Sequence, residues 1–589
     1  MKSKSLILAL ICLFTLNMTF AQPFQKTIGV NNKNYHDLNI EPIFDGTGTD
    51  DYIVAGNLFD AAMLNEEITL KRLDGNGNVI WIKTYTHTSL QHARVFDMVI
   101  HLDLIFITGS IDVFDTITSA FTKRTFIAQI DAINGNIIGA NYYDILSTQF
   151  TTRGLHISYT QSDADGDGVG DPGFVVGGFF SDCYNLDTTC TFNNIGFVMR
   201  TDMALNPIWI TELDASNPID NQDYDFVNGI TETNDGFFIT GSGTGITNNN
   251  VVQQEILAHK IDFQGTFVWD QSYIFGNSND VSVDAYYDAN TNDIFMLCNY
   301  SVSHYFGVTV FSNGGVYDPS RSWIASANDL NRYGFKIMEP MGNSNNLLIT
   351  GYDRDENWTS GGSNFFGNTN IFVHEFAKAT GLQVGNSYQY LVPHTEPIGD
   401  EFNFWSGQLP LIFYPDITFQ KVDATGVNNF YHVGYRTNTP GGFTETELFE
   451  TTVSKRNVCE RLGIQLTPNP FTPQYSLVTS AHISVVEVPL VLNDMPISFT
   501  EEFCDPTMSV DENFKDKSLL YPNPASDYVY ITGKELRSYR ILEANGRLVS
   551  EGVLKNNDPI FIGNLSNGLY FIQVTDDSGR IENFKLIKK

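Results

Sequence analysis

One short run concentrates the residue types that do metal chemistry. In SDADGDGVGDPGF, residues 162–174, three aspartates alternate at Asp163, Asp165 and Asp167, followed by Gly168, Val169 and Asp171. Calcium needs hard oxygens converging on one point. A calcium loop supplies them from side chains at positions one, three, five and nine and a backbone carbonyl at seven. On that spacing the ligands are Asp163, Asp165, Asp167, the Val169 carbonyl and Asp171, with the glycine of the sharp turn at Gly168. Position twelve, where a bidentate glutamate would close the shell, is Phe174. The expected role is structural Ca2+. A solvated acidic turn is the plainer reading of the same residues, since carboxylates this close repel unless screened.

The run departs from a full EF-hand and resembles the aspartate-rich calcium repeats of thrombospondin type 3. Other chemistry is sparse. The sequence has no H-E-x-x-H, no G-x-S-x-G and no phosphate-cradling G-x-x-x-x-G-K. His304, His374 and His432 fall in or beside predicted strands and read as packing residues. YDRDENW and HTEPIGDEFNFW mix carboxylates with Trp358, Phe404 and Trp405, a combination used in glycan sites. Linear proximity cannot place two carboxylates across one substrate, so no catalytic residue is assigned.

The elements that must position such residues are strands. The 589 residues contain 48 glycines, 13% aromatic residues and a net charge of −34. That composition favours short strands and turns over helices. The acidic surface repels phosphate backbones and excludes nucleic acid as a partner. Lys2 and Lys4 precede the apolar run LILALICLF, and Thr19 and Ala21 occupy the positions of a cleavage site. Residues 1–21 therefore read as a secretory signal peptide. No later run is long enough for a transmembrane helix. Export permits disulfides, and the expected pairs are Cys183 with Cys190 and Cys459 with Cys504. Loop-closure entropy would give them roughly 2.5 and 4 kcal/mol. Cys298, in the apolar run DIFMLCNY, reads as a buried thiol.

The middle of the chain repeats. A unit made of an apolar run ending in glycine, a variable loop, a strand ending at aspartate, a glycine turn and a last strand, which carries tryptophan in the clearest copies, recurs seven times between residues 22 and 458, with degenerate fifth and seventh copies. The recurring glycines, or their substitute, are Gly56, Gly109, Gly177, Gly241, Asn299, Gly351 and Gly434. Three units keep one interval: Asp74 to Trp81, Asp202 to Trp209 and Asp262 to Trp269. In each, the aspartate should cap the turn and the tryptophan should fill the gap between sheets. Four-stranded units at this period predict an all-β fold, a seven-bladed β-propeller. Phe24 to Val30 resembles an orphan last strand, which would close the last blade; a strand from residues 480–492 is the alternative. The repeats resemble the pyrroloquinoline-quinone-like propeller type, from which only the fold is carried over. Residues 459–512 break the repeat and read as a small, disulfide-stapled β connector.

Residues 513–589 form a separate module. Short alternating strands such as YVYIT and YFIQVTD predict a half-buried sandwich. YPNP, ANGR, LSNGLYFIQV and FKLIKK occur in order at the end of the chain. Together they resemble the type A C-terminal sorting domain of type IX secretion cargo. The matching positions are Tyr521, Pro522, Asn523, Pro524, Gly546, Leu565, Asn567, Gly568, Leu569, Tyr570, Lys585, Lys588 and Lys589. The resemblance implies an Ig-like β-sandwich, recognition by the outer-membrane secretion machinery, and delivery through the periplasm to the cell surface or medium. The expected function is a binding or adhesion module with a glycan or surface-protein ligand. The alternative is a secreted glycan-active hydrolase or lyase with its site on one propeller face.

Overall fold

The computed structural model describes residues 25–503 and 519–589. It leaves out shorter stretches within them, among them 182–192, 355–368, 393–416 and 453–459. The signal peptide, both expected disulfides, Trp358, Phe404 and Trp405 lie outside the described residues. The chain divides into two compact units, 1–504 and 505–589. Every regular element among the described residues is a strand.

Among the described residues the first unit contains seven sheets, antiparallel except where the short Asp223–Tyr224 strand runs parallel to Asn193–Asp202. Their first strands are Lys33–Ile43, Ala93–His101, Thr151–Thr160, Phe226–Glu232, Asp280–Asp288, Asn331–Met338 and Ile417–Val422. In the first six sheets, three further strands follow in chain order as a meander. The seventh takes its fourth strand from the other end of the chain. Gln25–Gly29 pairs with Phe443–Thr452, placing Gln25 opposite Phe449 and Ile28 opposite Thr446. Successive sheets bury apolar side chains between them. Ile53 and Leu70 of the first sheet share a cluster with Ile107 and Phe126 of the second. Equivalent clusters join sheets two to three, three to four, four to five and five to six. Ile28 and Leu448 of the seventh sheet pack with Ile40 and Tyr52 of the first.

All seven first strands carry a β-bulge, which places one extra residue against the partner strand. The bulge explains the repeated glycine. A Cβ on Gly109 would lie 1.9 Å from the Arg94 carbonyl oxygen, and one on Gly178 would lie 1.9 Å from that of Arg153. Bending the first strand drives its backbone onto the second, and at Gly109 and Gly178 a side chain would meet that backbone. The register also corrects three expected equivalences. In the seventh sheet the bulge faces Tyr431 and Phe430, not Gly434. In the third sheet the bulge faces Gly178 as well as Gly177, and the residue clashing with Arg153 would be at Gly178. In the fifth it faces Cys298, not Asn299. Asn299 instead matches Asn57. Each amide pairs with the backbone of the next sheet's first strand, Asn57 with Val95 and Asn299 with Gly334, at 2.8–2.9 Å.

The aspartate–glycine–tryptophan turns also clasp neighbouring sheets. Asp74 Oδ1 accepts from the backbone N–H groups of Asn76 and Asn78, and Asp202 and Asp262 do the same in their turns. Trp81 then donates to the Ile133 carbonyl in the turn of the next sheet, at 3.1 Å. Trp209 and Trp269 reach Phe263 and Asn313 in the same way. Each indole covers a left-handed glycine of that turn, Gly135, Gly265 or Gly315. Trp323 covers Gly381 equivalently. The sequence interval hides it because the fifth turn is longer.

Residues 460–503 do not build a module of their own. They add one outer strand to each of the seven sheets. Glu460–Leu462 pairs with the sixth sheet, Thr467–Asn469 with the fifth and Gln474–Tyr475 with the fourth. Thr479–His482 joins the third, Val485–Pro489 the second, Leu492–Pro496 the first and Thr500–Phe503 the seventh. The physical reason is edge pairing. Each sheet would otherwise expose a row of unpaired backbone groups.

In the second unit, Leu519–Tyr521, Tyr528–Thr532 and Ile560–Phe561 form one sheet. Leu536–Glu543, Leu548–Val553, Gly568–Asp576 and Ile581–Lys588 form another. Val529, Ile531 and Ile560 of the first meet Ile541, Ile572, Val574 and Leu586 of the second in one apolar cluster.

Candidate functional site

The aspartate run connects the first two strands of the third sheet. Asp163, Asp165 and Asp171 each offer a carboxylate oxygen, and these lie within 4.8 Å of one another. Oxygens that close can share a cation at 2.3–2.6 Å. Asp163 accepts from the N–H groups of Gly166 and Gly168 at 2.7 and 2.8 Å. The Gly168 bond leads the contacts that hold its carboxyl below the usual range. The loop is tied down on two sides. Gln264, from the turn of the fourth sheet, donates to the Asp163 carbonyl at 2.6 Å, and the buried Arg200 donates to the Asp171 carbonyl. Asp167 stands apart from the converging trio and accepts from the Val169 N–H at 2.7 Å.

A second group was not foreseen. The residues that follow the bulges in sheets one, two, three, five and six are Asn39, Asp97, His156, Asp284 and Lys336. All five are half-buried. The bulged residues just before four of them, Phe96, Leu155, Val283 and Phe335, belong to one apolar cluster. Asn39 donates to Asp97 Oδ1 at 3.2 Å, and His156 Nδ1 lies 2.9 Å from Asp97 Oδ2. Asp97 and Asp284 also accept the N–H of the next sheet's first strand, from Ile157 and Ile337. Burial pushes the Asp284 carboxyl up, against the opposing pull of the Lys336 and His156 charges. Asn39 Oδ1 and His156 Nε2 are buried and have no hydrogen-bond partner among the described residues. No sequence motif marks this group, because the same repeat position carries four different residue types in these five sheets.

Cys298 is a buried free thiol whose pKa burial raises to about 12, which suits packing and not nucleophilic attack. Among the described residues no helix is long and apolar enough to cross a membrane.

The residues singled out in the tail divide by role. Asn523 donates to the Lys585 carbonyl at 2.6 Å and accepts from the Ile587 N–H at 2.9 Å, tying the YPNP segment to the last strand. Tyr570 is buried and donates to the Ser566 carbonyl at 2.9 Å, and Leu565 packs against the core. Lys588 is buried. Pro524, Asn567, Gly568, Leu569, Lys585 and Lys589 are exposed. Pro522 and Gly546 lie outside the described residues.

Residues 519–589 match the secretion system C-terminal sorting domain family. The protein is therefore cargo of type IX secretion, exported to the cell surface or beyond, and its tail interacts with that machinery. None of the curated proteins matches the chain. Among solved structures, the extracellular domain of BT4673 from B. thetaiotaomicron, described as a one-component system, is 11% identical. That match covers 95% of this chain and 100% of the other, with a TM-score of 0.15. The extracellular domain of BT3049 from the same organism, described as a hybrid two-component system, is 10% identical. It covers 95% of this chain and 98% of its own, with a TM-score of 0.14. Scores this low carry no argument about fold or ligand.

Proposed function

We propose that the exported cargo is a binding module whose seven sheets close into a seven-bladed β-propeller of the pyrroloquinoline-quinone-like repeat type. Two observations support closure. The N-terminal strand completes the seventh sheet three residues before the first sheet begins. The 460–503 segment steps from sheet six down to sheet one and then to sheet seven through connections of two to four residues, too short to cross a wide gap. The tail is read as an Ig-like sandwich delivered to the secretion machinery.

The observation that carries the binding reading is the group at the bulges. Five sheets bring an amide, two carboxylates, an imidazole and an ammonium group to one repeat position, beside a shared apolar cluster. Such a mixture suits a hydroxyl-rich ligand, so the proposed ligand is a glycan or a glycan-bearing surface protein. The Asp97–His156 pair favours a second reading, a glycan-active hydrolase or lyase, because a carboxylate orients an imidazole there. A glycan array and a reducing-end assay on the exported protein separate the two. Binding that His156→Ala abolishes, with no reducing ends released, is the expected result. Release of reducing ends that the same substitution stops would overturn the pure-binding reading.

The aspartate loop is proposed to hold structural Ca2+ through Asp163, Asp165 and Asp171. Asp165→Ala should lower the melting temperature only when calcium is present. An equal loss in chelator would count against the site.

A further inference from the structure

A strand with one face on a core alternates apolar and polar residues. The strand Gly568–Asp576, GLYFIQVTD, does so only in its second half. Tyr570, Ile572 and Val574 point into the apolar cluster. Gln573 and Thr575, on the opposite face, are polar, but Leu569 and Phe571 on that same face are 39% and 38% exposed. The register extends this apolar end across the sheet. Leu569 lies opposite Ile587, which is 42% exposed. Phe571 lies between Leu542 and Lys585, and Leu542 lies opposite Leu548, which is 39% exposed. The other end of the face is mostly polar, with Arg540 opposite both Glu551 and Gln573 and a lone exposed Val553 opposite Ser538.

The residues that mark the tail as a sorting domain gather at the apolar end. Tyr570, Leu565 and Lys588 serve the fold, as their burial and packing show. Leu569 and Lys585 do not. They sit within the strip itself, and Asn523 fastens the YPNP segment beside Lys585 and Ile587. An exposed apolar strip held rigidly at one end of a sheet is a surface awaiting a partner.

We propose that the strip formed by Leu548, Leu542, Phe571, Leu569 and Ile587, with Lys585 in its middle row, is the surface the type IX secretion machinery recognises. The complementary partner surface is apolar, with an acidic group facing Lys585. This inference rests on the assignment of residues 519–589 to the sorting-domain family.

The test uses full-length protein in a secreting host and measures the fraction delivered outside the cell. The double variant Leu569→Lys, Phe571→Lys should export about tenfold less, the effect of losing ~1.4 kcal/mol of binding. Gln573→Lys, Thr575→Lys, on the polar end of the same face, should export normally. Normal export of the first variant, while deletion of residues 518–589 strands the protein, would overturn the strip and leave the sorting assignment intact. Normal export of the deletion would instead overturn the assignment. If the first variant makes the tail protease-sensitive, Ile587→Ser and Leu548→Ser decide, and normal export of both would overturn the proposal. A purified dimer that the first variant splits without loss of export would show that the strip serves a second copy of the chain, and would also overturn it.

Discussion

The two units differ most in how they treat charge and apolar surface. Residues 1–504 carry 23 basic and 56 acidic side chains, whereas residues 505–589 carry 11 and 12. Almost all of the net charge of −34 therefore sits on the first unit. A surface of that sign favours solubility and discourages casual contacts. The second unit is close to neutral and exposes an apolar strip on one sheet. The first unit closes its sheet edges internally, with the 460–503 strands and the N-terminal strand. The contrast teaches that cargo and address differ in charge: the first unit carries nearly all of the acidic excess, while the second is near neutral and gathers exposed apolar residues on one sheet.

The sharpest way to break that contrast is to cut the chain on either side of the outer strands. A chain ending at residue 504 keeps the outer strand of all seven sheets, and its melting temperature should match that of the full-length first unit. A chain ending at residue 457 loses every strand of the 460–503 segment. Even at about 0.5 kcal/mol net per backbone hydrogen bond, that pairing is comparable to the ~5–15 kcal/mol stability of a whole domain. The shorter chain should aggregate, as judged by size-exclusion chromatography. A soluble, cooperatively melting product would mean that the outer strands are ornament.

A smaller effect is expected from Gly178→Val. Its Cβ would meet the Arg153 carbonyl oxygen at 1.9 Å, backbone that cannot move without undoing the bulge. Denaturant unfolding should show a loss of about 3 kcal/mol or more. A loss under ~1 kcal/mol would mean that the bulge tolerates a side chain.

The smallest effect concerns Asp284. Its carboxyl is raised by burial, so the stability it contributes is full below the ordinary carboxylate range and is lost as pH rises through the raised value. Asp284→Asn keeps an acceptor for the Ile337 N–H but cannot ionise. The variant should melt higher than the native protein at neutral pH, with the gap closing on acidification. A gap that widens as pH falls would contradict the assigned direction.

Much of the first unit was legible because its signals are side-chain signals. The aspartate caps, turn glycines and indoles recur at fixed spacing, and Asp74, Gly265 and Trp209 do what their types suggest. The outer strands left no such trace. TPN, QY and TEEF are two to four residues long and are held by backbone pairing, which requires no side-chain pattern. The bulge-position group was hidden for a related reason. One extra residue in each first strand shifts the repeat, so Asn39, Asp97, His156, Asp284 and Lys336 share a place only once the register is known. Of the calcium ligands read from spacing, Asp163, Asp165 and Asp171 converge and Asp167 stands outside that trio, while all four carboxylates accept N–H groups of the loop backbone. Spacing fixes which residues are near, not which way each carboxylate turns.

The separation of cargo from address is tested most directly by deleting residues 518–589 and following both location and stability. The account predicts retention in the periplasm with the melting temperature of the first unit unchanged. Delivery to the surface without the tail, or loss of the first unit's cooperative melt on its removal, would contradict it.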